Sequence, residues 1–163
     1  MIPRPSERGR STKGARQLVL CLLLVAFLGV PFVTNPALAQ PSPTSPEQLA
    51  DFASRVGLRQ IGQFVDAVTA LRTDGQLPKR YVTKETARAH GWRGGGLCAL
   101  WPGHVIGGDP FGNFGGQLPA GHRYFEADLG STCRQRGPSR LIYSSDGLIF
   151  VTTDHYRSFV PVP

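Results

Sequence analysis

Apolar positions recur along this chain with two different periods, and the change from one to the other divides it. Over residues 46–74 the spacing is helical. Leu49, Phe52 and Val56 form a short stripe behind Ser45-Pro46-Glu47-Gln48. There Ser serves as N-cap, Pro suits the first helical position and Gln stands three residues beyond the cap. Gly57 closes the stripe. Ile61, Phe64, Val68 and Leu71 then share one face of a second helix, which Asp74-Gly75 stops. A third, short helix is predicted over Thr83–Ala89, with Thr as cap, before Gly91-Trp92. From Gly94 onward the segments shorten and glycines crowd between them. Val105-Ile106, Tyr124 to Leu129, Leu141 to Ser144 and Leu148 to Thr153 read as strands. Asp146-Gly147 predicts a hairpin closed by a type I′ turn, with positive φ at both central residues. The glycine clusters, Gly107-Gly108 among them, read as turns, because none has the strand-to-helix setting of a phosphate-binding loop. Helices first and antiparallel strands afterwards make an α+β domain.

The first 39 residues fit neither period. Arg4, Arg8, Arg10, Lys13 and Arg16 precede an apolar run from Leu18 to Val30, and Ala37-Leu38-Ala39 follows. A basic segment, an apolar segment and a small-residue cleavage site make a secretory signal peptide. The apolar run is shorter than the roughly 20 residues that span a bilayer. The expected organisation is therefore a leader over 1–39, a linker and possible extra helix or pro-segment over 40–58, and the functional domain over 59–163. The whole chain carries 18 Lys and Arg against 11 Asp and Glu, a formal charge of +7. Removing the leader takes five of those bases and Glu7, which leaves +3. A modestly basic domain suits a polyanionic partner without demanding one. Beyond the leader two cysteines remain, Cys98 and Cys133, and an even pair in an exported protein reads as a disulfide. Metal-ligand spacings such as Cys-x-x-Cys do not occur, so neither a metal nor another cofactor is expected.

Period two places Tyr124, Glu126 and Asp128 on one face of their strand and Phe125, Ala127 and Leu129 on the other. The apolar face should meet the helices, and the face with two carboxylates should meet solvent or a ligand. Arg134, Arg136 and Arg140 flank a Gly-Pro turn beside the same sheet, and the last strand runs into Asp154-His155-Tyr156-Arg157. A carboxylate and an imidazole can exchange protons with a substrate, while guanidiniums hold phosphate oxygens in pairs. Phosphoryl transfer is the chemistry that such a set serves.

The segments LPKRYVTKETARAHGW, IGGDPFGN, EAD and SRLIYSSDGLIFVTTDHY, in this order and spacing, resemble barnase and the microbial guanyl-specific ribonucleases related to it. The resemblance runs from about Ile61 to Phe159. It implies N-terminal helices packed on a five-stranded antiparallel sheet, and cleavage of single-stranded RNA through a 2′,3′-cyclic phosphate without a metal. Carried over position by position, it makes Glu126 the general base and His155 the general acid. Lys84, Arg136 and Arg140 would hold the phosphate, and Asp128 would pair with the arginines as a structural residue. Phe111, Asn113, Phe114 and Tyr156 would contact the substrate, Tyr156 against a base. A barstar-like acidic inhibitor protein is an implied partner, and a secreted or periplasmic monomer the implied state. His90, His104 and His122 match no catalytic position and are read as surface residues.

One loop departs from the pattern. Relatives carry Asn-Arg-Glu where this chain has Asn113-Phe114-Gly115, so an Arg that binds phosphate and a Glu that reads guanine are both missing. Losing a charged hydrogen-bond partner costs about 1.5–3 kcal/mol, and weakened or altered guanine preference is expected. The competing reading is an exported RNA-binding protein with this fold and little or no turnover.

Overall fold

Two helices precede the first strand and a third follows it in the computed structural model, which describes residues 44–163. The expected leader lies outside the described residues. Helix α1 (Pro46–Arg55) opens with both halves of a capping box: Gln48 N–H donates to the Ser45 hydroxyl, and Ser45 N–H donates to Gln48 Oε1. Such a cap is worth about 1 kcal/mol. Helix α2 (Ile61–Asp74) closes on Gly75, and α3 (Lys84–Ala89) starts from Thr83, whose hydroxyl accepts from Thr86 N–H.

Leu49 and Phe52 of α1 join Phe64 and Val68 of α2 and Ala127, Leu129, Leu141 and Val151 of the sheet in one buried cluster. The rings of Phe52 and Phe64 stack at 5.8 Å. Burying a side chain of this size stabilises by roughly 1.5–3 kcal/mol, so α1 is held by the same core as the rest of the domain.

The sheet has six strands in sequence order: β1 (Tyr81–Val82), β2 (Val105–Phe111), β3 (Tyr124–Asp128), β4 (Arg140–Ser144), β5 (Ile149–Thr152) and β6 (Val160–Pro161). All neighbours are antiparallel except β1 and β2, which pair in parallel. The count thus exceeds the five expected. The two shortest strands, at the edges, are two residues long, too short for a period to register, and Pro161 tolerates a strand only because an edge asks for no further N–H.

Two turn expectations are corrected. Gly107 and Gly108 lie inside β2 rather than in a turn, at a register shift opposite β3. A Cβ on Gly107 would sit 2.6 Å from the Tyr81 ring and 2.8 Å from Ala127 Cβ, and Gly108 takes φ +95 at the bulge. The β4–β5 hairpin is not a type I′ turn either. Among Ser144 to Gly147 only Gly147 has positive φ, at 100, and its N–H donates to Ser144 C=O. The extra residue gives a three-residue loop ending in a left-handed Gly, a second common hairpin closure.

The alternation in β3 sorts its side chains as expected in part. Ala127 and Leu129 enter the helix-side core. Phe125 stacks on Tyr143 at 5.6 Å and stays half-buried. On the opposite face Tyr124, Ile142 and Leu118 form a second cluster, with Phe111, Phe150, Tyr156 and Phe159 packed against it. That aromatic floor borders the two carboxylates, which are buried instead of solvent-facing.

Candidate active site

Glu126 sits at the centre of β3 with both carboxylate oxygens engaged. Lys84 Nζ, from the first residue of α3, donates to Oε1, and the Tyr156 hydroxyl donates to Oε2 at 2.5 Å. Asp109 fixes where Lys84 stands, since both of its oxygens accept the Lys84 backbone N–H, at 3.1 and 3.0 Å. Asp109 is also the register partner of Glu126, so one pair of adjacent strands positions both the carboxylate and the lysine over it. Burial alone would push the Glu126 pKa up. Hydrogen bonds from Lys84 and Tyr156, and the charges of Lys84 and Arg136, outweigh it and hold the group below the ordinary Glu value. The same environment acts oppositely on Tyr156: burial, then its bond to Glu126, pushes the phenol up to about 12.

Asp128, two residues along the same face, is 1% exposed and gathers the guanidiniums. Arg136 meets it through two parallel bonds, Nε to Oδ2 at 2.8 Å and Nη2 to Oδ1 at 2.7 Å, and this pairing raises the Arg136 pKa further. Arg140 Nε lies 3.1 Å from Asp128 Oδ1 and 3.0 Å from the Tyr156 hydroxyl. Its Nη1 donates to the carbonyls of Gly137 and Ser139. A continuous network therefore runs from Asp128 through Arg140 and Tyr156 to Glu126. Cys98 and Cys133 form a disulfide with Cα atoms 4.7 Å apart, and Gly96 N–H donates to Arg134 C=O beside it. These links pin the loop that carries Arg136 to the loop after α3, where Trp92 lies 6.0 Å beneath the Arg136 guanidinium.

His155 projects from a turn built for two unusual residues. His155 and Tyr156 both have positive φ, 61 and 68, a conformation costly for side chains of this size. Thr152 and Asp154 hold it. Tyr156 N–H donates to the Thr152 hydroxyl, while Arg157 and Ser158 N–H both donate to Asp154 Oδ1 at 3.0 Å. A bond from the Ser158 hydroxyl, then one from its backbone N–H, holds the Asp154 carboxyl far below the usual carboxylate range. His155 is exposed, with its ring 5.1 Å from that of Tyr156, whose other neighbour is the Phe111 ring, stacked at 5.5 Å.

The family model described as ribonuclease matches residues 65–163. The chain belongs to the barnase-like family of microbial ribonucleases. It is 37% identical to a ribonuclease of Bacillus pumilus over 149 residues, covering 86% of this chain and 92% of that one. It is also 45% identical over 91 residues to ribonucleases of Heyndrickxia coagulans and Bacillus intermedius, with 53% of this chain covered in both cases, and 84% and 56% of those proteins.

Against this family's pattern, the structure distributes the expected substrate residues unevenly. Phe111 and Tyr156 stack beside Glu126. Asn113 turns its side chain inward, donating to Leu118 C=O at 2.7 Å and accepting Leu118 N–H at 3.1 Å, so it shapes the loop and offers the ligand only its backbone. Phe114 is fully exposed. Among the histidines left aside, His90 and His104 stack on opposite faces of Trp101, at 3.9 and 4.0 Å, and His122 Nδ1 lies 2.6 Å from Asp146. Reading the sequence missed two contributors. Asp109 gives no signal, because it acts through a backbone N–H 25 residues away. The Tyr156 hydroxyl gives none either: the resemblance sets its ring against a base, and the hydroxyl bonds Glu126 and Arg140.

Proposed function

We propose that this ribonuclease is a secreted endonuclease that cuts single-stranded RNA by transesterification without a metal, after loss of residues 1–39. The observation that carries the reading is one buried carboxylate, Glu126, held ionised between Lys84 and Tyr156, with Arg136 and Arg140 on the same face and His155 on the neighbouring turn. Glu126 takes the proton of the ribose 2′-hydroxyl as that oxygen attacks the adjacent phosphorus. The P–O5′ bond breaks, and His155 gives its proton to the departing oxygen. Lys84, Arg136 and Arg140 meet the charge that develops on the phosphoryl oxygens. Water then opens the 2′,3′-cyclic phosphate with the two proton roles reversed. RNA supplies the nucleophile itself, which is why DNA, lacking the 2′-hydroxyl, is spared.

Base choice is where this chain should differ from its family. With Phe114 and Gly115 in the loop, no charged side chain is offered to a guanine edge, and an exposed ring provides a stacking surface instead. Guanine preference is accordingly weak. A barstar-like acidic inhibitor would lose one cationic contact for the same reason. The disulfide suits an extracytoplasmic enzyme.

The test is cleavage of a short RNA containing all four bases by the Gln40–Pro163 protein in EDTA, beside His155→Ala. Cuts that leave 2′,3′-cyclic ends and disappear in the variant are expected. A folded protein that binds this RNA and leaves it intact makes it a binding protein of ribonuclease fold, the reading that Phe114 and Gly115 favour.

A further inference from the structure

Beside Arg136 two loops touch backbone to backbone. A Cβ on Gly96 would sit 1.8 Å from Thr132 C=O, and one on Gly95 would sit 2.8 Å from Arg134 C=O. The bond from Gly96 N–H to Arg134 C=O and the Cys98–Cys133 disulfide join the loops at this seam. The first loop also shapes the platform for the guanidinium. Trp92 Nε1 donates to Gly95 C=O at 3.1 Å, and the Trp92 ring lies 6.0 Å from Arg136. Packing beneath the seam is incomplete. A cavity of about 130 Å³ lies between the loops and the sheet, and Leu97, Cys98, Ile106, Asp128 and Ser131 are among its lining. Groups that face a cavity give up contacts that would otherwise fix them, so the seam and its covalent link set where Arg136 stands.

We infer that the Cys98–Cys133 bond is a redox control on the reaction. Closed, it holds Arg136 where the phosphate arrives; opened by a thiol, it lets the loop drift and cleavage slows. The inference rests on the ribonuclease reading above, in which Arg136 meets the charge that develops on the phosphoryl oxygens. A dithiol is the reductant. Its thiolate attacks the sulfur of Cys133, which is exposed and next to the exposed Arg134, and the S–S bond breaks. Cys98 leaves as a thiolate and takes up a proton. The reagent's second thiol then displaces Cys133 from the mixed disulfide, so two electrons pass to the protein and the reagent ends as a disulfide. Arg140 also meets Asp128, so a shift of Arg136 leaves that buried carboxylate partnered. A chain in a thiol-rich compartment is then the weak form, and oxidation outside it completes the site.

The test compares kcat/KM on a short RNA in EDTA for the oxidised Gln40–Pro163 protein and for the same protein after dithiothreitol. Reduction should lower kcat/KM about 10- to 100-fold, the range expected when a positioned group moves by about 1 Å, and oxidised glutathione should restore it. Arg136→Ala should lower activity of the oxidised protein about 10²-fold and abolish the response to dithiothreitol, which a general loosening of the domain would not do. Circular dichroism at the assay temperature reads whether the reduced form is folded. If it is unfolded, Gly96→Ala decides, because the disulfide stays and the added methyl group forces the seam apart. Its kcat/KM should fall, and only while Arg136 is present. Equal activity of folded oxidised and reduced protein overturns the control. So does a response that persists undiminished in Arg136→Ala, or a Gly96→Ala protein with unchanged kcat/KM. Oxidised wild type that never cuts RNA would instead remove the ribonuclease reading on which the control rests.

Discussion

Tyr156 illustrates how one atom can serve a carboxylate without taking part in proton transfer. Its hydroxyl gives a hydrogen bond to Glu126 and receives one from Arg140, and its ring rests on Phe111. Tyr156→Phe removes a bond that favours the ionised form of Glu126 and leaves the ring in place. In the mechanism proposed above Glu126 is the base, a base works only when deprotonated, and this carboxyl is held below the ordinary Glu value of 4.5. The acid limb of kcat/KM in wild type therefore lies below that pH, and in Tyr156→Phe it moves to higher pH. A pH–rate profile of both proteins checks the direction. Glu126→Gln should lower kcat/KM about 10²- to 10⁴-fold, the usual contribution of a positioned base, in an assay that follows cyclic-phosphate release.

Helix α1 is the element whose contribution is most open to measurement. Phe52 is buried against Phe64 and the sheet, so Phe52→Ala should cost about 3–5 kcal/mol, read as a lowered urea midpoint. If residues 40–58 acted as a detachable pro-segment, that midpoint would hardly change. Strand β2 offers a second case. A methyl group on Gly107 would press into Tyr81 and Ala127, and Gly107→Ala should cost about 1–3 kcal/mol by the same measurement. Elements of this size differ in how well the sequence announces them. Ser45-Pro46-Glu47-Gln48 and Thr83 carry their caps in local chemistry, and the alternation of Tyr124 to Asp128 places Glu126 and Asp128 on one face without any tertiary information. Gly107-Gly108 misleads, since a glycine needed for close approach inside a strand has the same letters as one needed in a turn. Strands β1 and β6 are set by their neighbours alone, and Asp109 acts through a contact that only the folded chain creates.

At the scale of the whole molecule, the arginine loop depends on a covalent tie as much as on packing. The Cys98–Cys133 link closes a span of 35 residues, and removing it with a Cys98→Ser, Cys133→Ser double variant should cost about 3–4 kcal/mol on the chain-entropy account. A denaturation curve gives the loss. Trp101, sandwiched between His90 and His104, has a use beyond stability. An indole stacked on two imidazoles emits differently once unfolding parts the three rings and lets water reach it. With only two tryptophans in the chain, the intrinsic fluorescence should change as urea unfolds the domain, and Trp101→Phe should remove the part that reports this stack. The protein thus carries its own optical gauge of whether this loop is folded, readable without a dye while it meets RNA.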